Sequence, residues 1–90
     1  MQPVTIYTKS WCPYCQDAKQ LLHDKQVAFE EIPVDGDRAG QAKMAQRAGG
    51  RSSVPQIFIG DRHVGGCDDL YALDHAGKLD ALLRGEPAAS

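Results

Sequence analysis

Two cysteines three positions apart are the residues best suited to do chemistry in this chain. Cys12 and Cys15 stand in a Cys-Pro-Tyr-Cys segment, between an apolar run that ends at Tyr7 and a stretch with the spacing of an amphipathic helix. A helix that begins at Pro13 places Cys12 at its N-terminus, where free N–H groups and the helix dipole favour a thiolate. Cys15 then lies one turn further along the same face. The spacing predicts a nucleophilic thiol with a resolving partner.

A pair of cysteines at this spacing also occurs in zinc sites and in structural disulfides. A structural zinc site usually has four ligands, and the rest of the chain offers only Cys67 and three histidines with no metal-ligand spacing. A disulfide of such short span removes little chain entropy, and it would leave one cysteine over. Both interpretations are weaker than redox chemistry, and we expect no metal.

Length and composition predict one domain over residues 1–90, with its core at about 3–84 and a flexible tail at 85–90. The net charge of −2, with lysines and arginines scattered along the chain, argues against nucleic acid or a membrane surface as a partner. No segment has the pattern of a signal peptide or a membrane-spanning helix. Three cysteines without a secretory signal suggest a reducing compartment, so we expect a cytoplasmic protein.

The elements that must position these thiols follow from the apolar pattern. Pro33 suggests that the second strand lies near a sheet edge, and Gly60-Asp61 is a two-residue hairpin signal. The order predicts an α/β fold with one four-stranded mixed sheet flanked by helices. The expected elements, in the order β-α-β-α-β-β-α-α, are Val4–Thr8, about 13–25, Val27–Val34, about 38–48, Gln56–Ile59, Arg62–Val64, a helix that opens at Cys67 and a short helix with Leu79, Leu82 and Leu83.

Three motifs then occur in a fixed order. They are Cys-Pro-Tyr-Cys after Tyr-Thr-Lys, Ser-Val-Pro before the third strand, and Gly-Gly-Cys-Asp-Asp before the third helix. In this combination, over about residues 3–84, the sequence resembles the dithiol glutaredoxins, and among them the small bacterial glutaredoxin 3 group. The resemblance implies a thioredoxin-like fold and reduction of disulfides with glutathione as co-substrate. Trp11 departs from the small residue that is commoner beside the first cysteine.

The resemblance also implies roles for the first motif. The thiolate of Cys12 attacks a glutathione mixed disulfide or a protein disulfide, and Cys15 resolves the protein adduct. Pro13 supports the start of the helix. Lys9 is expected to support the thiolate and to bind a carboxylate of glutathione, with an ordinary solvated lysine as the alternative. Tyr14 is expected to line the groove, with a core position on the helix as the alternative.

A cis peptide bond at Val54-Pro55 is part of the family pattern. The resemblance places Pro55 against the first cysteine and turns the N–H and C=O groups of Val54 outward. These groups would pair with the cysteinyl backbone of glutathione as an added strand does. The second helix supplies Gln41 as a candidate for the glycyl carboxylate, with a plain surface position as the equal alternative.

The third motif is expected to bind the γ-glutamyl end of glutathione. Gly66 permits close approach of the ligand, and the N–H groups of Cys67 and Asp68 suit a carboxylate at a helix start. The carboxylate of Asp68 or Asp69 is expected to take the ammonium, and the other one is then a helix-start residue favoured by the dipole. The thiol of Cys67 is expected to contribute only packing.

Two other functions use the same residues. In related proteins, two chains and two glutathiones hold a [2Fe–2S] cluster, but those chains typically lack proline at the second motif position, so Pro13 argues against a carrier. A thioredoxin-like reductant served by a reductase protein is disfavoured by the third motif and by the missing Trp-Cys-Gly-Pro-Cys sequence. We expect the protein to be a monomer. Its expected partners are glutathione, client proteins with disulfides or glutathione adducts and, through the glutathione pool, glutathione reductase.

Overall fold

Four strands form one mixed sheet in the computed structural model, which describes residues 2–85. The sheet order is β2-β1-β3-β4; β1 and β2 are parallel, and the β1–β3 and β3–β4 pairs are antiparallel. This arrangement confirms the predicted parallel pair followed by a hairpin, and it confirms that the second strand is an edge strand. The strands are β1 (Val4–Thr8), β2 (Glu30–Pro33), β3 (Gln56–Ile59) and β4 (Arg62–Gly65).

Four helices flank this sheet within residues 2–85, and the first two begin at residues suited to a helix N-terminus. Pro13 is the first residue of its helix, where a missing N–H has no consequence, and Cys12 is the N-cap. Asp37 caps the second helix by accepting a hydrogen bond from the N–H of Gly40 at 2.9 Å. The helices are α1 (Pro13–Asp24), α2 (Arg38–Arg47), α3 (Cys67–His75) and α4 (Leu79–Leu83).

The second strand, β2, is shorter than the predicted Val27–Val34. Val27, the first apolar residue of that range, belongs to the C-terminal end of α1 instead. The N–H of Val27 donates to the carbonyl of Leu22, and the N–H of Gln26 donates to that of His23, both at 2.9 Å. This pair of bonds is a Schellman motif, with Gln26 in the left-handed region at a φ of 60°. Val27 is buried together with Leu22, so its apolar side chain belongs to the end of α1.

The apolar side chains form a cluster on each face of the sheet, as alternation along the strands requires. One cluster joins β1 and β3 to α1, α3 and α4 through residues such as Ile6, Leu22, Ile57 and Leu70. The other joins the same strands to α2 and consists of Tyr7, Val34, Met44, Ala48 and Phe58. Among residues 2–85 no helix is long and apolar enough to cross a membrane. The predicted tail, apart from Gly85, lies outside the described residues.

The register of the strands brings three loops to one end of the sheet. Tyr7, near the end of β1, pairs with Gln56 at the start of the antiparallel β3. Ile57 pairs with Gly65, the last residue of β4. The segments before α1, before β3 and before α3 therefore meet at the same end of the sheet. Each of them carries one of the three motifs.

Candidate active site

Cys12 lies at the N-terminus of α1 with its sulfur facing backbone donors and acceptors. The N–H of Cys15 donates to the Sγ of Cys12 at 3.2 Å. The thiol of Cys12 in turn contacts the carbonyl oxygen of Val54 at 3.8 Å. A backbone N–H that points at the sulfur favours its negatively charged form. The sulfur of Cys12 thus lies between a backbone donor and a backbone acceptor.

Cys15 lies in the opposite environment. Its side chain is fully buried, and burial, followed by the hydrogen bond with Cys12, raises its pKa to about 12. The thiol of Cys15 is therefore protonated at neutral pH. All three cysteines of the chain are free thiols in this structure. The two sulfurs of the pair therefore differ in their surroundings: that of Cys12 accepts a backbone N–H, and that of Cys15 is buried and protonated.

The loop between β1 and α1 is tied to the loop that follows β2. The N–H of Ser10 donates to both carboxylate oxygens of Asp35, at 3.1 and 3.0 Å, and the hydroxyl of Ser10 also donates to this carboxylate. These hydrogen bonds lower the pKa of Asp35. The contact fixes the approach of the chain to Cys12, and no local spacing in the sequence points to it.

A cavity of about 310 Å³ has Val54, the residue whose carbonyl the Cys12 thiol contacts, as part of its wall. The Val54-Pro55 peptide bond on its wall is cis, as the resemblance predicted. Arg51 and Ser53 also line the cavity, and neither is among the predicted site residues. Seven predicted site residues line it, namely Tyr14, Val54, Pro55, Gly66, Cys67, Asp68 and Asp69.

Two other residues predicted to bind glutathione, Lys9 and Gln41, do not line this cavity, and neither do Cys12, Pro13 and Cys15. The Nζ of Lys9 lies 5.9 Å from the centre of the Trp11 ring, and the amide of Gln41 donates to the carbonyl of Val34 at 2.9 Å. Trp11 is 75% exposed and Tyr14 is 62% exposed, so both aromatic rings of the first motif face solvent. The predicted roles of Lys9 and Gln41 stay predictions.

The two aspartates of the third motif have different surroundings. The carboxylate of Asp69 accepts the N–H of Gly66 at 2.8 Å and pairs with the guanidinium of Arg51 at 3.2 Å. These contacts, the Gly66 N–H first, lower the pKa of Asp69. Asp68 is exposed, and its carboxylate has no hydrogen bond or ion pair within residues 2–85. Asp69 therefore caps α3, whereas Asp68 is available to a ligand.

Cys67 is buried at the start of α3 and lines the cavity. Burial, followed by the negative charges of Asp17 and Asp68, raises the pKa of its thiol. Within residues 2–85, no three His, Cys, Asp or Glu side chains are grouped so that they could hold a metal ion.

Comparison with known proteins identifies the family. The glutaredoxin family model matches residues 4–64, which is more than half of the chain. The chain belongs to the glutaredoxin family. A glutaredoxin of Pseudomonas aeruginosa is 61% identical to it over 83 residues, which cover 92% of this chain and 98% of the relative. Glutaredoxin 3 of Escherichia coli is 57% identical over 84 residues, which cover 93% of this chain and 100% of the relative.

Solved glutaredoxin structures share the fold. The solution structure of the glutaredoxin from Brucella melitensis matches with a TM-score of 0.84 and 52% identity, over 97% of this chain and 95% of that one. The crystal structure of the buckwheat glutaredoxin–glutathione complex also gives 0.84, at 32% identity, over 99% and 83%. The thioredoxin-like fold is confirmed. This glutaredoxin is a glutathione-dependent thiol–disulfide oxidoreductase, which confirms the function expected from the three motifs.

Proposed function

We propose that this glutaredoxin reduces glutathione mixed disulfides and protein disulfides with Cys12 as the nucleophile and Cys15 as the resolving thiol. The observation that carries the proposal is the 3.2 Å hydrogen bond from the N–H of Cys15 to the sulfur of Cys12. The raised pKa of the Cys15 thiol, about 12, supports the same division of roles. One sulfur has a backbone donor directed at it, and the other stays protonated until it is needed.

The reaction with a glutathione mixed disulfide needs only Cys12. Its thiolate attacks the glutathione sulfur, the S–S bond breaks, and the client thiolate leaves and takes up a proton. A disulfide between Cys12 and glutathione results. A second glutathione, as thiolate, attacks the glutathione sulfur of this adduct, so glutathione disulfide leaves and the thiolate of Cys12 is restored. One free glutathione is consumed: the client leaves as a thiol, and the glutathione disulfide contains this glutathione together with the one that was attached to the client.

A protein disulfide requires both cysteines. Cys12 attacks one client sulfur, and Cys15 then attacks the sulfur of Cys12, which releases the second client thiol and forms the Cys12–Cys15 disulfide. Two glutathiones reduce this disulfide in turn. Once Cys12 is in a mixed disulfide, it no longer contributes to the raised pKa of Cys15, and only burial remains as a major cause. Cys15 thus becomes easier to deprotonate when its attack is required.

The cavity beside Cys12 is the proposed binding site for the glutathione moiety. The backbone of Val54 pairs with the cysteinyl unit. The carbonyl of Val54 becomes available for this pairing once the Cys12 thiol loses its proton and no longer donates to it. The N–H groups of Cys67 and Asp68 bind the γ-glutamyl carboxylate, and the carboxylate of Asp68 binds the ammonium. The buckwheat relative, which was crystallised with glutathione, supports this class of ligand.

The remaining residues of the proposed site surround this core. Tyr14, Pro55 and Gly66 supply the walls of the cavity, and Asp69 holds the start of α3 in place. Lys9 and Gln41 are proposed for the glycyl carboxylate, which extends beyond the cavity in this arrangement. Their side chains must leave the Trp11 ring and the carbonyl of Val34, respectively, to reach it.

The decisive experiment is turnover of a small glutathione mixed disulfide, with glutathione and glutathione reductase, by the wild type, Cys12→Ser and Cys15→Ser. We expect Cys12→Ser to be inactive and Cys15→Ser to remain active on this substrate, while Cys15→Ser loses reduction of a protein disulfide. Activity of Cys12→Ser, or an inactive wild type, would overturn the proposal. Reduction by thioredoxin reductase and an absorption scan of the purified protein test the thioredoxin-like and [2Fe–2S] alternatives.

We also propose that the protein acts as a cytoplasmic monomer without a metal. Its partners are glutathione, clients with disulfides or glutathione adducts and, through the glutathione pool, glutathione reductase. The net charge of −2 and the scattered cations support the absence of nucleic acid and membrane surfaces from this set. Light scattering of the reduced protein tests the monomer.

A further inference from the structure

Gln56 carries a buried amide directly after the cis proline. It is the first residue of β3, its side chain is fully buried, and both ends of its amide are hydrogen-bonded. The Nε2 group lies 3.0 Å from the carbonyl oxygen of Ser53 and 3.3 Å from its hydroxyl, and the Oε1 atom lies 2.7 Å from the Nε2 of His63. A carbonyl only accepts, so the NH₂ end must face Ser53. The Oε1 atom then faces His63, which donates its Nε2–H.

His63 is held in one place on the neighbouring strand. It pairs with Phe58 in the register of the β3–β4 hairpin, and the centres of the two rings lie 5.0 Å apart. Burial, followed by the positive charge of Arg51, lowers the pKa of His63, so the ring is neutral at neutral pH. A neutral ring has one N–H, and the Oε1 atom of Gln56 accepts its hydrogen bond.

The hydrogen bonds from Gln56 to Ser53 determine which groups the loop before Pro55 presents to the cavity. Gln56 engages the carbonyl of Ser53 and one lone pair of its hydroxyl, which anchors the residue that precedes Val54 to the sheet. The hydroxyl hydrogen of Ser53 stays free to donate, and both Ser53 and Val54 line the cavity. The backbone of Ser53 and Val54 is thus held in place by the side chain of Gln56, which does not itself line the cavity.

We propose that Gln56 and His63 are positioning residues for glutathione: His63 orients the amide of Gln56, and Gln56 holds Ser53 and Val54 in the conformation that binds the glutathione moiety. The inference rests on the proposed role of Val54. A buried amide is unfavourable unless all its hydrogen bonds are made, and an apolar side chain would fill the same space more simply. The complete set of partners here directs the amide at the binding loop. Such supporting hydrogen bonds keep binding groups in their productive geometry.

Steady-state kinetics with a small glutathione mixed disulfide test this chain of contacts. His63→Phe keeps a ring against Phe58 and removes the donor, whereas His63→Gln keeps a donor at the position of Nε2. We expect His63→Phe to raise KM about two- to tenfold, the effect of one lost hydrogen bond, with kcat unchanged. We expect His63→Gln to restore the wild-type KM. His23→Phe, an exposed histidine in the last turn of α1, is the matched control.

A double-mutant cycle shows whether His63 acts through Gln56. In a Gln56→Met background, His63→Phe should leave KM unchanged, because the amide that it orients is gone. An unchanged KM in the single variant, an equal rise in both backgrounds, or a fall in kcat that His63→Gln does not reverse would overturn the inference. If Gln56→Met does not fold, the comparison of His63→Phe with His63→Gln still decides. Failure of the proposed function is distinct, since it shows in the wild type and in Cys12→Ser.

Discussion

The three cysteines show how strongly the surroundings of a residue decide its chemistry. Cys12 and Cys67 both lie at helix starts, yet only Cys12 accepts a backbone N–H from its own helix, the one of Cys15. The pKa of the Cys67 thiol is raised by burial and by the charges of Asp17 and Asp68. A position at a helix start is therefore not sufficient to lower the pKa of a thiol, since that of Cys67 is raised.

Alkylation of the native, reduced protein tests this contrast. With one equivalent of iodoacetamide at pH 7.5, we expect the label on Cys12, because the raised pKa values of Cys15 and Cys67 leave almost no thiolate there. Mass spectrometry of the peptides locates the label. In denaturant all three cysteines should react at similar rates, which is the control. Labelling of Cys67 at a rate comparable to that of Cys12 in the native protein would contradict the prediction.

The two aspartates of the third motif should separate stability from binding. Asp69→Ala removes the acceptor for the Gly66 N–H and the half-exposed ion pair with Arg51, so we expect a loss of about 1 kcal/mol in the free energy of unfolding. Asp68→Asn should change that free energy by less than about 0.5 kcal/mol and raise KM about three- to tenfold. Urea unfolding and steady-state kinetics measure the two effects. Equal losses of stability in both variants would contradict this assignment.

At the scale of the elements, α1 has a functional end and a structural end. Its first turn positions Cys12 and Cys15, and its last turn closes in a Schellman motif in which Gln26 has a φ of 60°. A side chain with a Cβ is strained in this region, where glycine is the usual residue. The helix α1 therefore ends at its C-cap, Lys25, although Gln26, the residue after it, is a less favourable choice for this conformation than glycine.

Replacement of Gln26 by glycine should relieve this strain. We expect Gln26→Gly to raise the free energy of unfolding by about 0.5–1 kcal/mol, without a change in kcat or KM, because the residue lies at the far end of α1 from Cys12. The control is Gln46→Gly in α2, an exposed helical position where glycine should lower the same quantity by about 0.8–1 kcal/mol. Thermal or urea unfolding measures both variants. A loss of stability in Gln26→Gly would show that Gln26 makes favourable contacts that offset its backbone strain.

The elements were predictable where a local pattern alone determines them. The bounds of β1 and β3 were predicted because their apolar runs end at turn residues. Val27 was assigned to a strand because its contact with Leu22 is a property of the folded chain. Contacts between distant residues escaped prediction for the same reason. Ser10 and Asp35 are 25 positions apart, and neither has a neighbour that signals the other.

At the scale of the whole molecule, charged contacts between distant segments connect the elements around the sheet. Lys25, at the end of α1, pairs with Asp74 of α3 at 2.7 Å and with Asp80 of α4 at 2.9 Å. Glu31 of β2 accepts a hydrogen bond from the hydroxyl of Thr8 at 2.7 Å and pairs with Lys19 of α1 at 3.1 Å. These contacts add pH dependence to a fold that its apolar clusters hold together.

The carboxylate contacts predict a loss of stability in acid. The hydroxyl of Thr8, and then Lys19, lower the pKa of Glu31 from its ordinary value of 4.5, so its contribution is present above pH 4.5 and is lost as the pH falls through the lowered value. We expect the free energy of unfolding to fall in this range, and to fall less steeply in Glu31→Gln. Urea unfolding between pH 7 and pH 3 measures both slopes, with Glu30→Gln as the control. Identical slopes in wild type and Glu31→Gln would contradict the prediction.

The exposed ring of Trp11 gives this enzyme a built-in optical reporter. Trp11 is the only tryptophan in the sequence, it is 75% exposed, and it is bonded directly to Cys12 in the chain. A disulfide accepts an electron from an excited indole at short range, so the emission should dim when Cys12 and Cys15 join and recover when they separate. Each turnover with a protein disulfide can then be followed in real time, without a label or a coupled assay, by stopped-flow fluorescence.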